Sequence, residues 1–194
     1  MAMASARRVS ELAALSCKEP YLILHKDSVI LRPQPSFLPK VISSFHLNQD
    51  LVLPSFFPKP TSREERRLHT LDVVRAMKVY LKATEKIRKT DVLFILPDGP
   101  KKGQPAAKST LARWIKQLIF QAYGLKHVPP PLSVKAHSTR AMSASWAAHH
   151  HISMAQVCRA ATWSSVHTFT KFYKLDVTRS ADAAFGQAVL RAAV

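Results

Sequence analysis

The sequence predicts an α+β fold, mostly α-helical, with a small antiparallel three-stranded sheet near the N-terminus. Three short apolar runs before residue 55 predict the sheet: Tyr21–His25, Val29–Leu31 and Leu51–Pro54. Beyond residue 60, apolar residues recur every third or fourth position, the period of a helix buried along one face. The 194 residues are 47% hydrophobic, so one domain with a buried core is expected rather than a disordered basic tail.

Taken in order, residues 2–16 read as a helix, with Val9, Leu12, Ala13 and Leu15 on an apolar side. Arg8 and Glu11 lie three apart on another face. The first two apolar runs, joined by a Lys26-Asp27 turn, form a hairpin, and the third adds a strand. Pro33, Pro35 and Pro39 interrupt regular structure, so the chain to about residue 49 reads as a loop or an irregular edge. Residues 54–63, with Pro54, Pro58 and Pro60, form a connector, and a helix follows over 66–88. Val92–Leu96 reads as a buried strand or an extended core segment, closed by a Pro97–Pro100 turn and a basic loop at Lys101-Lys102-Gly103. Thr110 is the predicted N-cap of a helix over 111–123, and Pro129–Pro131 stops what precedes the next element. Ser138 or Thr139 opens a helix to about 149; shorter helices follow near 153–160 and 166–174, and a last one covers 181–193.

The charge is far from balanced. There are 29 Lys and Arg against 12 Asp and Glu, a formal net charge of +17. Such an excess points to a polyanionic partner, usually nucleic acid. Its distribution sharpens this. Between Asp98 and Asp176 lie 77 residues without one acid and with 11 Lys or Arg. An acid-free stretch suits a surface that faces phosphates, where a carboxylate would be repelled.

Other classes are excluded. No apolar run has the ~18–20 residues of a membrane span. Arg7, Arg8, Glu11, Lys18 and Glu19 are wrong for a signal peptide. Cys17 and Cys158 are far apart and lack metal-ligand spacing, which fits free thiols in a reducing compartment. His149-His150-His151 suggests zinc at first sight. Neighbouring helical residues point in different directions, however, and no Cys or carboxylate cluster accompanies them.

Within the acid-free stretch, His137 and Arg140 are three apart at a helix start, so both face one ligand or both are surface residues. Tyr173 lies between Lys171 and Lys174, where positive charge favours a phenolate. It is a nucleophile or a core tyrosine. Trp163 likewise reads as a core residue or a phosphate neighbour.

Together these residues resemble the tyrosine recombinase (phage integrase) family, whose signature order is Arg, Lys, His-x-x-Arg, His or Trp, Tyr. Arg8-Val9-Ser10-Glu11-Leu12 resembles the first arginine box, with Arg8 at the catalytic position. His137-Ser138-Thr139-Arg140 resembles the H-x-x-R box; Trp163 takes the His/Trp place and Tyr173 follows ten residues later. Lys135–Val177 and Phe37-Leu38-Pro39-Lys40 most resemble recombinases of DIRS/Ngaro-type retrotransposons. The resemblance covers nearly the whole chain.

It implies a tyrosine recombinase catalytic-domain fold over 1–194, with the N-terminal core-binding domain absent. It implies DNA strand breakage and rejoining through a 3′-phosphotyrosyl intermediate, as in site-specific recombination and DNA integration. Tyr173 is then the nucleophile, Arg8 and Arg140 the phosphate clamps, and His137 the proton acceptor or donor. Lys40 is the implied general acid, with Lys26 as the alternative. Trp163 donates to the phosphate or packs the site, and Glu11 orients Arg8 or forms a simple surface pair. No metal or other cofactor is implied. The implied partner is double-stranded DNA, bound by a homo-tetramer in the nucleus, with no membrane contact. A catalytically inactive DNA-binding remnant of a mobile element, or a generic basic RNA-binding protein, are the competing readings.

Overall fold

The computed structural model describes residues 1–47 and 49–175. The stretch predicted as one helix over 2–16 folds as two, α1 (Ala2–Ser5) and α2 (Val9–Ala13). Ala6 turns left-handed at φ 50° and Arg8 is extended, so the helix breaks between them. In an unbroken helix the Ala6 carbonyl would accept from an amide four residues on. Here it accepts from Arg140 Nη1 at 2.7 Å.

Strands β1 (Leu22–Leu24), β2 (Ser28–Leu31) and β3 (Leu51–Pro54) form an antiparallel sheet in that order. Ile23 pairs with Ile30, and Val29 with Leu53. Val29, Leu31, Leu51 and Leu53 are buried while Val52 is exposed, the alternation of a half-covered sheet. Between β2 and β3, where the sequence predicts a loop or an irregular edge, the chain forms the short α3 (Ser44–Leu47).

The helix predicted over 66–88 is also divided, into α4 (Arg63–His69), α5 (Val73–Thr84) and a 3₁₀ turn at Glu85–Ile87. Two caps cause the division. Ser62 and Glu65 form a reciprocal capping box at the start of α4. Asp72 caps α5 by accepting from the Arg75 amide at 2.8 Å, and it also accepts from the Phe56 amide and the Ser55 hydroxyl. Burial alone raises the pKa of the Asp72 carboxyl, but these three bonds outweigh it and hold the group below the usual carboxylate range.

Val92–Leu96 is the extended core segment rather than a strand of the sheet. Its strand-like pairing is limited to isolated bridges, Ser16 with Val92 and Ile95 with Pro105, and backbone bonds such as Leu93 amide to Leu15 carbonyl and Ala106 amide to Phe94 carbonyl hold it in place. Gly103 closes the following loop at φ 83°, where a Cβ would lie 1.8 Å from the Ile87 carbonyl oxygen. That position admits glycine alone. Helix α6 (Lys108–Leu125) starts three residues earlier than predicted, with Ala107 rather than Thr110 at its N-cap. Then come α7 (Ser138–His149), α8 (Met154–Ala160) and α9 (Val166–Phe172). The helix predicted over 181–193 lies outside the described residues.

The core has an N-terminal part, where Leu12, Leu15, Leu22 and the inner sheet face pack on Val73, Val74 and Met77 of α5. A C-terminal part gathers Ala6, Ala144, Val157, Ala161, Trp163 and Phe169. A small group of Val9, Ala106, Leu111 and Ala136 joins them. Residues 6–12 therefore contribute to all three, which fixes the N-terminal arginines against α6 and α7. Among the described residues no helix is long and apolar enough to cross a membrane.

Candidate active site

The start of α7 sets the site. His137 is its N-cap and Arg140 lies in its first turn, three residues on. Arg140 is only 1% exposed. Its guanidinium donates to the carbonyls of Ala6 and Ala161, tying α7 to the N-terminal break and to the end of α8. The guanidinium carbon also sits 4.7 Å from the Trp163 ring centroid and 5.5 Å from that of Tyr173. Burial, and then the charge of Arg8, push the Arg140 pKa down to about 10, against the opposing pull of Glu11 and Tyr173. Arg140 thus remains charged at neutral pH, with no carboxylate bonded to it among the described residues.

Tyr173 directly follows α9 and is half-buried. Its ring packs on Trp163 at 4.7 Å between centroids, and Trp163 packs in turn on Phe169. The Tyr173 hydroxyl lies 3.1 Å from His137 Nε2. Burial lowers the pKa of His137, and the charges of Arg140, Arg8 and Lys108 lower it further. The imidazole is accordingly neutral at pH 7. In the tautomer protonated at Nδ1, Nε2 accepts the phenolic hydrogen.

Arg8 caps α2 and donates to Glu11 Oε1 at 3.1 Å. Glu11 is not part of a surface pair. It is 8% exposed, and its other oxygen lies 3.7 Å from Arg7 Nη1. Arg7, which the sequence gives no reason to single out, is also 8% exposed. It donates to the Asp50 carbonyl at 3.0 Å and so links α2 to the start of β3. Burial lowers its pKa, while Glu11 and Asp50 act in the opposite direction.

Arg8, His137, Arg140, Trp163 and Tyr173 are therefore brought together. Trp163 Nε1 is buried without a partner among the described residues, so the ring's contacts are packing contacts. Lys40 is exposed on the β2–β3 connection, and Lys26 is exposed at the β1–β2 turn. Lys108, the first residue of α6, acts on His137 and was not marked by any sequence pattern. No group of three or more His, Cys, Asp or Glu is placed to hold a metal ion among the described residues.

A small three-stranded sheet on a helical body, with an H-x-x-R pair at a helix start facing a tyrosine at the end of a later helix, defines the tyrosine recombinase catalytic-domain fold. Solved structures place the chain among particular neighbours. It is similar to XerA recombinase with a TM-score of 0.59 and 17% identity, over 98% of this chain and 55% of that one. A XerH site-specific recombinase bound to a palindromic difH substrate matches at 0.58 and 15%, over 97% of this chain and 42% of that one. The Tn1549 transposon integrase in complex with transposon right-end DNA matches at 0.59 and 15%, over 97% and 56%. The chain spans about half the length of these structures. No family model matches it, and no curated protein matches it.

Proposed function

We propose that this chain breaks and rejoins DNA through a covalent 3′-phosphotyrosyl intermediate on Tyr173. The observation that carries the reading is the 3.1 Å contact between Tyr173 and a neutral His137, set directly above the buried charge of Arg140. A phenol is a poor nucleophile until its proton is removed, and His137 Nε2 is in position to take it. Tyr173 Oη then attacks phosphorus, the bond to O5′ breaks, and a lysine returns a proton to O5′. The resemblance offers Lys40, or Lys26, for that last role.

The phosphate gains charge on its non-bridging oxygens as it reacts. Arg8, fixed by Glu11, meets that charge from the α2 side. Arg140 lies beneath the Tyr173 ring, so movement of Tyr173 toward phosphorus uncovers it. Trp163 forms the floor on which the tyrosine rests. The +17 charge supplies the surrounding bed for a duplex backbone. The finer parts of the reading are a DIRS/Ngaro-type retrotransposon recombinase, acting as a homo-tetramer on double-stranded DNA in the nucleus, without a metal.

Incubation with a pool of nicked duplexes of randomised sequence tests this, because a nick lets the short 5′-product diffuse away and traps the covalent species. A denaturation-resistant protein–DNA adduct with the parent and none with Tyr173→Phe supports the proposal. Salt-sensitive duplex binding with no adduct on any duplex favours a DNA-binding remnant instead.

A further inference from the structure

A serine inside a helix usually points to water or returns its hydroxyl to a carbonyl of its own helix. Ser145 of α7 does neither. It is 3% exposed, and its hydroxyl bonds main-chain groups 28 and 30 residues further along the chain. Oγ donates to the Tyr173 carbonyl at 3.2 Å and accepts from the Leu175 amide at 2.8 Å. One hydroxyl thus grips the main chain on both sides of Lys174, directly behind the tyrosine. On the phosphotyrosyl reading, we infer that Ser145 is a positioning residue, holding the Tyr173 backbone in register with His137 and Arg140 for attack on phosphorus.

Helix α7 makes this grip matter. It carries Arg140 in its first turn, has His137 as its N-cap, and holds Ser145 further along. The proton acceptor, one phosphate clamp and the anchor of the nucleophile's backbone therefore share one rigid element. On the other side, the amides of Tyr173 and Lys174 both donate to the Phe169 carbonyl at 2.9 Å. Those bonds end α9 but do not tie the segment to α7. Among the described residues, the hydrogen bonds that do so are the Tyr173–His137 contact at 3.1 Å and the two made by Ser145. The first is given up when the phenol proton passes to His137 and Oη turns to phosphorus. The two Ser145 bonds remain.

The surroundings separate this role from packing. Ala144 and Phe169 are buried in the cluster against which Tyr173 packs, and those contacts do not need the hydroxyl. Alanine at 145 keeps them and suits a helix better than serine. Tyr173 is half-buried and Leu175 is 40% exposed, so water can take up the main-chain groups that the serine releases. The loss then falls on the placement of Tyr173, where a shift of about 1 Å can cost about 10²-fold in rate.

The test uses the full chain and a nicked duplex recovered from the covalent capture, with adduct formation followed against duplex concentration. Ser145→Ala is expected to lower the maximal rate by about 10–10²-fold and to leave the half-saturating duplex concentration within about twofold of the parent's. Ser145→Thr keeps a hydroxyl and is expected to recover most of the lost rate. The melt of Ser145→Ala should fall by no more than about 6 °C. An unchanged maximal rate overturns the inference. So does a loss carried by duplex binding, or one that disappears when the assay is cooled well below the variant's melt, which marks a serine of structure alone. A threonine variant as slow as the alanine one also overturns it. An adduct absent from the parent itself refutes the functional reading and this inference with it, whereas a parental adduct insensitive to Ser145→Ala refutes the inference alone.

Discussion

Thr162 offers a sharp test of the site's architecture. It sits at φ 51° immediately before Trp163, is 3% exposed, and its Oγ1 has no hydrogen-bond partner among the described residues. The Thr162 amide donates to the Arg159 carbonyl, and the Trp163 amide to that of Cys158. That pair of bonds ends α8 as a Schellman motif, in which the left-handed residue is usually glycine. Replacing Thr162 by Gly relieves the left-handed cost of an L-residue, about 1–2 kcal/mol. It also removes an unsatisfied buried hydroxyl, worth about 1–3 kcal/mol. Against this stand roughly 0.5–1 kcal/mol for glycine's extra freedom when unfolded and about 1 kcal/mol for the lost methyl contact. Thr162 lines a cavity of about 470 Å³ with Arg7, Glu11, Arg32 and Phe37, so truncation widens an existing space and opens no new void. The net is a stabilisation of about 1.5 kcal/mol, or roughly 3–6 °C in Tm. Thr162→Ala keeps the backbone strain and should gain about 0.5–1 kcal/mol less than the glycine variant. Urea unfolding of the three proteins decides it. A Thr162→Gly protein less stable than the parent, or an alanine variant equal to it, refutes the reasoning.

Other consequences can be measured in the same way. Glu11→Ala removes the carboxylate paired with buried Arg7, leaving Arg7 its Asp50 contacts, and should cost about 3 kcal/mol in urea unfolding; a loss under about 1 kcal/mol contradicts a buried clamp. Tyr173→Phe removes one bond to a half-exposed pair and should change stability by no more than about 1.5 kcal/mol while abolishing the adduct. Proton NMR should find His137 titrating below its ordinary value of 6.5, and Lys108→Ala should move it upward. Because the folded protein disfavours the protonated imidazole, the stability that His137 contributes should fall as pH drops below 6.5, and the adduct rate should fall only at lower pH, where the folded imidazole itself takes up a proton. A rate that rises on acidification contradicts a neutral His137. Gly103→Ala should prevent normal folding or cost several kcal/mol, because its Cβ meets backbone rather than a movable side chain; an unchanged melt would contradict that geometry.

Much of the fold was legible where local pattern decides structure. The sheet strands showed through their short apolar runs, α7 through Ser138 or Thr139 at its start, and α8 and α9 fall close to the predicted 153–160 and 166–174. The errors arose where a distant partner or an overlooked cap decides. Nothing near Ala6 in sequence announces that its carbonyl will be claimed by Arg140, 134 residues away, so 2–16 reads as one helix. The breaks around α4 and α5 were readable in principle, since Ser62 with Glu65 is a capping-box pattern and Asp72 is a good N-cap residue. In the site, Arg140 stood out by its spacing from His137, and Tyr173 by its place between Lys171 and Lys174. Arg7 and Lys108 did not, because their places depend on tertiary packing by Glu11, Asp50 and the Val9–Ala106–Ala136 group.

The central claim is that Tyr173 becomes covalently joined to a DNA 3′-phosphate. Mass spectrometry of a protease- and nuclease-digested adduct measures it directly. The expected result is one modified peptide, with the nucleotide on Tyr173 through a 3′-phosphodiester. A nucleotide on any other residue, or joined through a 5′-phosphate, would contradict the account.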